Sequence, residues 1–188
     1  MRIKTSFLLV IFSILFSFDL QAAEIISPSS EWRYFDKGVI DDNQWFNSDF
    51  NDTHWPVGKG QFGYGEGDES TITSFGNDLN NKPLTQYFRR KFELVDLNGL
   101  DEVNMRLLVD DGAIVYLNGK EIYRVNVPEG VSFPKRAVNS LIEHVWIQVP
   151  LQASLFNNKE NTIAVAVYQL SAKSTDLSFD LALISGEK

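Results

Sequence analysis

The stretch LLVDDGAIVYLNGKEIYRV, residues 107–125, restricts the fold more tightly than any other part of the chain. Ala113, Val115 and Leu117 alternate with Ile114 and Tyr116, so one run has two distinct faces of period two. Asn118-Gly119 then offers two residues that accept positive φ, the requirement of a type I′ turn, before a second run begins. This is the pattern of a β-hairpin. The same period recurs in EVNMRLLVD, where Val103, Met105, Leu107 and Val109 share a face, and in LSFDLALI, where Leu177, Phe179, Leu181 and Leu183 do. YFRRKFEL, VWIQVPL and TIAVAVYQL are further strand candidates, and no heptad or sustained 3.6-residue period competes with them. Short strands separated by Gly, Asn, Asp and Pro predict an all-β chain, a two-sheet antiparallel β-sandwich of the jelly-roll kind.

The N-terminus has a different character. MRIKTS is basic, FLLVIFSILFSF is apolar but too short to span a bilayer comfortably, and small residues follow at Ala22 and Ala23. Residues 1–23 are therefore read as a signal peptide and 24–188 as one domain, exported to the periplasm or the medium. A domain of that size buries roughly 68–70% of its unfolded surface, enough for a core without disulfides, and the chain has no Cys. Its formal charge of −8 disfavours nucleic acid and anionic membranes as partners, since both need a positive patch. No membrane insertion is expected after cleavage.

Adjacent Asp110 and Asp111 pose the sharpest question about chemistry. Neighbours in a strand point to opposite faces, so the pair is not expected to share one catalytic site. Carboxylates before a glycine more readily bond backbone N–H groups at a strand junction, and that is the expected role. A single oxygen ligand to a hard cation is the alternative. Nucleophilic catalysis has little to stand on: there is no Cys, no Gly-x-Ser-x-Gly elbow, and His54 and His144 are the only histidines. Zinc needs more ligands than two separated histidines give.

Residues 32–83 are rich in aromatics, Asn, Asp and Gly, and are read as long loops pinned by rings. Trp45 and Trp55 are expected in the core. Tyr64, between Gly63 and Gly65, is expected at a loop tip with approachable backbone. Of Arg89, Arg90 and Lys91, the alternation of a strand predicts one buried salt-bridge partner.

WRYFDKG, WFNSDFNDTHWPVGKGQFGYGEG, TQYFRRKFEL, LLVDDGAIVYLNGKEIYRVNVPEG, NTIAVAVYQ and STDLSFDLAL occur in this order across residues 32–183. Together they resemble the galactose-binding-domain-like β-sandwich modules of secreted bacterial proteins, which accompany metallophosphoesterases and glycoside hydrolases. Two positions depart from the pattern: Tyr168-Gln169 stands where relatives often have His-Gln, and Val127 where they often have Met. The resemblance implies a non-catalytic binding or accessory module, with carbohydrate as the leading ligand. No enzyme domain is expected after LALISGEK, and a relative's catalysis is not carried over. Trp32, Tyr34, Tyr64, Glu66 and Arg89 are the candidate glycan-binding residues. A structural calcium, as such modules often hold, has Asp49, Asp52, Asp110 and Asp111 as candidate ligands. The alternatives are a module that recognises a protein partner or a separate secreted enzyme, and a small glycan-active enzyme using Glu66 and Asp176.

Overall fold

The computed structural model describes residues 23–94, 100–132, 135–142 and 144–186. The predicted signal peptide lies outside them except for Ala23. In chain order the strands are β1 (Ala23–Ile26), β2 (Glu31–Phe35), β3 (Val57–Lys59), β4 (Phe62–Tyr64), β5 (Thr71–Ile72) and β6 (Thr85–Leu94). β7 (Glu102–Asp110), β8 (Gly112–Leu117), β9 (Lys120–Val125), β10 (Ile147–Gln152), β11 (Lys159–Tyr168) and β12 (Leu177–Ser185) follow, with one 3-10 turn at Ala153–Leu155. The first sheet has the order β10-β7-β12-β4-β5, with β1 also on β12; the second has the order β3-β2-β6-β11-β8-β9. They form the two-sheet sandwich. One pair departs from the antiparallel expectation, because β4 and β5 run parallel through Phe62 and Thr71.

Period-two alternation decides what lies between the sheets. Val103, Met105, Leu107 and Val109 of β7 and Leu177, Phe179, Leu181 and Leu183 of β12 face Ala113, Val115 and Leu117 of β8 across one core. Phe88 and Phe179 stack at 4.1 Å between ring centroids, and Trp32 meets Phe179 edge-on at 5.3 Å. Each such side chain contributes roughly 1.5–3 kcal/mol by leaving water. Pro150 lies in β10 at the rim of the first sheet, where its missing N–H breaks no ladder.

The β8–β9 hairpin closes with Asn118 at φ 52° and Gly119 at φ 82°, as the Asn-Gly pair predicts. Asn118 also ties the turn to β11: its Oδ1 accepts from the Thr162 N–H at 2.9 Å and its Nδ2 donates to Asn161 Oδ1 at 2.8 Å. Residues 32–83, read as loops, contain β2 to β5. β4 can lie against β12 only because residue 63 is glycine: at φ 153° a Cβ there would stand 1.7 Å from the Leu177 carbonyl oxygen. No helix among the described residues is long and apolar enough to cross a membrane.

Candidate functional site

The outward face of the second sheet is unusually apolar. Alternation turns Tyr87 and Arg89 of β6, Ile114 and Tyr116 of β8, and Ala164, Ala166 and Tyr168 of β11 away from the main core. Residues 36–56, between β2 and β3, fold back over this face and make a second core with Trp45 and Trp55, the role expected of both. Trp45 meets Tyr87 at 4.7 Å and Tyr116 at 5.6 Å, and Phe46 stacks on Tyr116 at 4.4 Å.

Arg89 fastens the cover. Its side chain is fully buried and its Nε donates to Asp52 Oδ2 at 2.8 Å. It also donates to the carbonyls of Trp45 and, at 3.0 Å, of Asn47, and it lies over the Phe50 ring. Arg89 is thus the buried partner predicted for the basic cluster, and with no exposed side-chain surface it cannot reach a sugar. Asp52 is shared with Arg33, 3.5 Å away.

Where the cover leaves β2, it stops short of the end of the sheet and leaves a cavity of about 600 Å³. Tyr87 and Tyr168 line it from the sheet, Ile40 and Leu84 from the flanks, and Lys37 and Lys135 stand at its margin. Burial raises both phenols above the ordinary tyrosine range, reinforced at Tyr168 by Tyr87 and Tyr116; at Tyr87 a backbone hydrogen bond at Ile40 works the other way. Both hydroxyls are therefore neutral at physiological pH. The volume lies within the roughly 300–1,000 Å³ of small-ligand sites, and apolar walls with a few polar groups are typical of them.

The aromatic candidates named from sequence lie elsewhere. Tyr64 is in β4 and buried, not at a loop tip, with Phe75 at 4.9 Å and the Lys82 ammonium 5.4 Å from its ring. Burial and the carboxylates of Asp176, Asp110 and Asp111 push its hydroxyl up to about 12. Trp32 is buried between the sheets, and Tyr34 is half-buried against Phe62 at 5.4 Å. The same alternation that makes these residues strand members turns their rings into the sandwich, so Trp32 and Tyr64 present no face for a sugar.

The four calcium candidates do not converge. Asp52 is engaged by Arg89 and Arg33, and Asp49 is exposed on the same cover segment. Asp110 and Asp111 are buried at the β7–β8 junction, where Asp111 Oδ2 accepts from the Leu170 N–H at 2.8 Å. The Asp111 N–H reaches the Tyr168 carbonyl, whereas Arg89 sits opposite Ala164, four residues back along β11 and about 13 Å away. Asp111 does what the junction reading predicted. Among the described residues, the three acidic or imidazole side chains close enough to share an ion are Glu66, Asp68 and His144. Glu66 accepts from Ser178 Oγ at 3.0 Å and lies 3.3 Å from His144 Nε2. One imidazole and two carboxylates do not fit the six to eight oxygens that calcium takes. Asp176, the other half of the suggested catalytic pair, is held by Ser174 Oγ at 3.1 Å.

Tyr87, Tyr168, Lys37 and Lys135 were missed from sequence. A signal was present: TIAVAVY is apolar at both parities, which marks a strand covered on both faces.

No family model matches the sequence, and no curated protein matches it. Solved structures do. A β-glucuronidase from an uncultured Clostridium species aligns with a TM-score of 0.55 at 17% identity, over 94% of this chain and 31% of that one. A glycosyl hydrolase family 2 member from Bacteroides cellulosilyticus aligns at 0.56 and 12% identity, over 88% and 20%. A Bacteroides uniformis β-glucuronidase aligns at 0.54 and 17%, over 88% and 18%. At such identities the likeness is one of fold: the chain is similar to a β-sandwich portion of these proteins and spans less than a third of their length.

Proposed function

We propose that this chain is an exported, non-catalytic module of the galactose-binding-like kind that binds carbohydrate at the cavity beside Tyr87 and Tyr168. The observation that carries the reading is that cavity, left open at the end of an otherwise covered sheet face. Apolar walls floored by the almost fully buried Tyr87 and Tyr168 accept the C–H face of a pyranose, and the exposed Lys37, Asn81 and Lys135 offer donors to its polar edge. Likeness of fold to part of several glycoside hydrolases adds support, as does the resemblance of the sequence motifs to modules that accompany such enzymes.

The test is a glycan array probed with the mature chain and with Ala172→Trp, which places a large ring at the cavity wall without altering either core. The expected result is binding to a defined glycan family, lost in the variant at unchanged melting temperature. Binding that survives Ala172→Trp would place the ligand elsewhere. A second reading, docking on a protein partner, draws on Val138, Ile142 and Val145, which expose apolar side chains along the segment before β10. A blank array with the folded chain, together with partner retention lost on Ile142→Asp, would favour that reading.

A further inference from the structure

We infer that the saccharide taken by this cavity is acidic, a pyranose bearing a carboxylate of the uronic acid class. The inference rests on the carbohydrate reading and adds the charge of the ligand to it. The chain carries 25 Asp and Glu against 17 Lys and Arg, so an average stretch of its surface is negative. The cavity reverses that balance: three lysines line it and no Asp or Glu does.

The three lysines do not have the same job. Lys82 is buried, its ammonium donates to the Ser174 carbonyl, and it lies 5.4 Å from the centroids of both the Tyr64 and Phe75 rings. That charge belongs to the fold. Lys37 and Lys135 are exposed, come from segments almost a hundred residues apart, and make no ion pair among the described residues. Two cations without an ion pair among the described residues, beside one apolar recess, form a local positive field in a negative protein. Low-dielectric walls concentrate such a field and raise the local concentration of anions. An ammonium on a flexible stem offers a point charge to a single carboxylate, while Ile40, Leu84 and the phenols face the ring. A neutral sugar would use the walls and leave both charges unmatched.

The experiment compares retention of the mature chain on immobilised polygalacturonate, dextran sulfate and neutral galactan, at low and at physiological salt. Polygalacturonate should bind best and weaken as salt screens the margin. Lys37→Gln/Lys135→Gln should bind it about tenfold less tightly at unchanged melting temperature, the order expected for two exposed charges. Lys37→Glu/Lys135→Glu should abolish it. Equal binding to galactan, preference for dextran sulfate, or indifference to both double variants would overturn the acidic-sugar assignment while leaving a carbohydrate module. Binding to none of the three nor to any glycan on the array would overturn the carbohydrate reading itself.

Discussion

Asp52→Ala tests whether the cover over the second sheet is held by one buried charge pair. Arg89 has no solvent-exposed side-chain surface, Asp52 keeps 13%, and their contact is 2.8 Å. Removing the carboxylate leaves a guanidinium that retains two carbonyls but has lost its counter-charge, and breaking a buried pair from one side costs about 3–5 kcal/mol. The two remaining carbonyl acceptors and the partial exposure of Asp52 set the expectation at the lower end, about 3 kcal/mol. For a domain of this size that lowers the melting temperature by about 6–12 °C. Two controls separate charge from packing. Arg33→Ala removes a partly exposed partner at 3.5 Å together with its hydrogen bonds to the Thr53 and Trp55 carbonyls, and should cost about 1–2 kcal/mol, less than Asp52→Ala. Asp52→Ala/Arg89→Met should recover part of the loss, since an apolar side chain of similar length needs no counter-charge. Urea denaturation of the four proteins, followed by the fluorescence of Trp45 and Trp55, reads all three differences. A loss below about 1 kcal/mol for Asp52→Ala, or a double variant no more stable than Asp52→Ala, would refute the argument.

The remaining predictions concern the scaffold. Asn118→Ala leaves the Thr162 N–H without its acceptor and should cost about 2–3 kcal/mol in urea denaturation. Gly119→Ala should cost about 1–2 kcal/mol for positive φ alone, and Gly63→Ala more than about 3 kcal/mol because its Cβ would meet backbone; soluble yield and denaturation midpoint should rank them in that order. Burial raises the buried Asp180 carboxyl above its ordinary value, although hydrogen bonds from the Ser29 and Leu181 N–H groups oppose the shift. The folded chain therefore holds this proton more tightly than the unfolded chain. The stability it contributes is full below the unfolded pKa, about 4, and is lost as pH rises through the folded one. The stability difference between the wild type and Asp180→Asn should fall over that interval; a difference that rises would contradict the burial argument.

The main core could be read from the sequence because its information is local. Val103, Met105, Leu107 and Val109 declare their face by period alone, and Asn118-Gly119 declares the hairpin by the φ values it accepts. Short strands were not legible: β3, β4 and β5 hold two or three residues each, too few to show a period. The site failed for a related reason. Trp32 and Tyr64 attracted attention as large rings among polar residues, yet once those segments are strands their rings turn inward. Tyr87 and Tyr168 meet through the pairing of β6 with β11, Lys37 arrives with the cover and Lys135 with the segment between β9 and β10, where the Ala137 N–H reaches the Gln169 carbonyl, and nothing local to any of them announces the meeting.

The place of β12 has a consequence for how the molecule is made. β7 pairs along one of its edges, and β1 and β4 share the other. The first sheet therefore waits for residues 177–185, which leave the ribosome after almost everything that must join them. Contacts of such sequence separation are slow to close, and exposed strands wait without a neighbour until they do. A chain cut short before Leu177 loses the spine of the sheet and not a fringe of it: β7 keeps only β10, β4 keeps only β5, and β1 has no neighbour in the sheet. Emergence of β12 is in this sense the event that completes the first sheet.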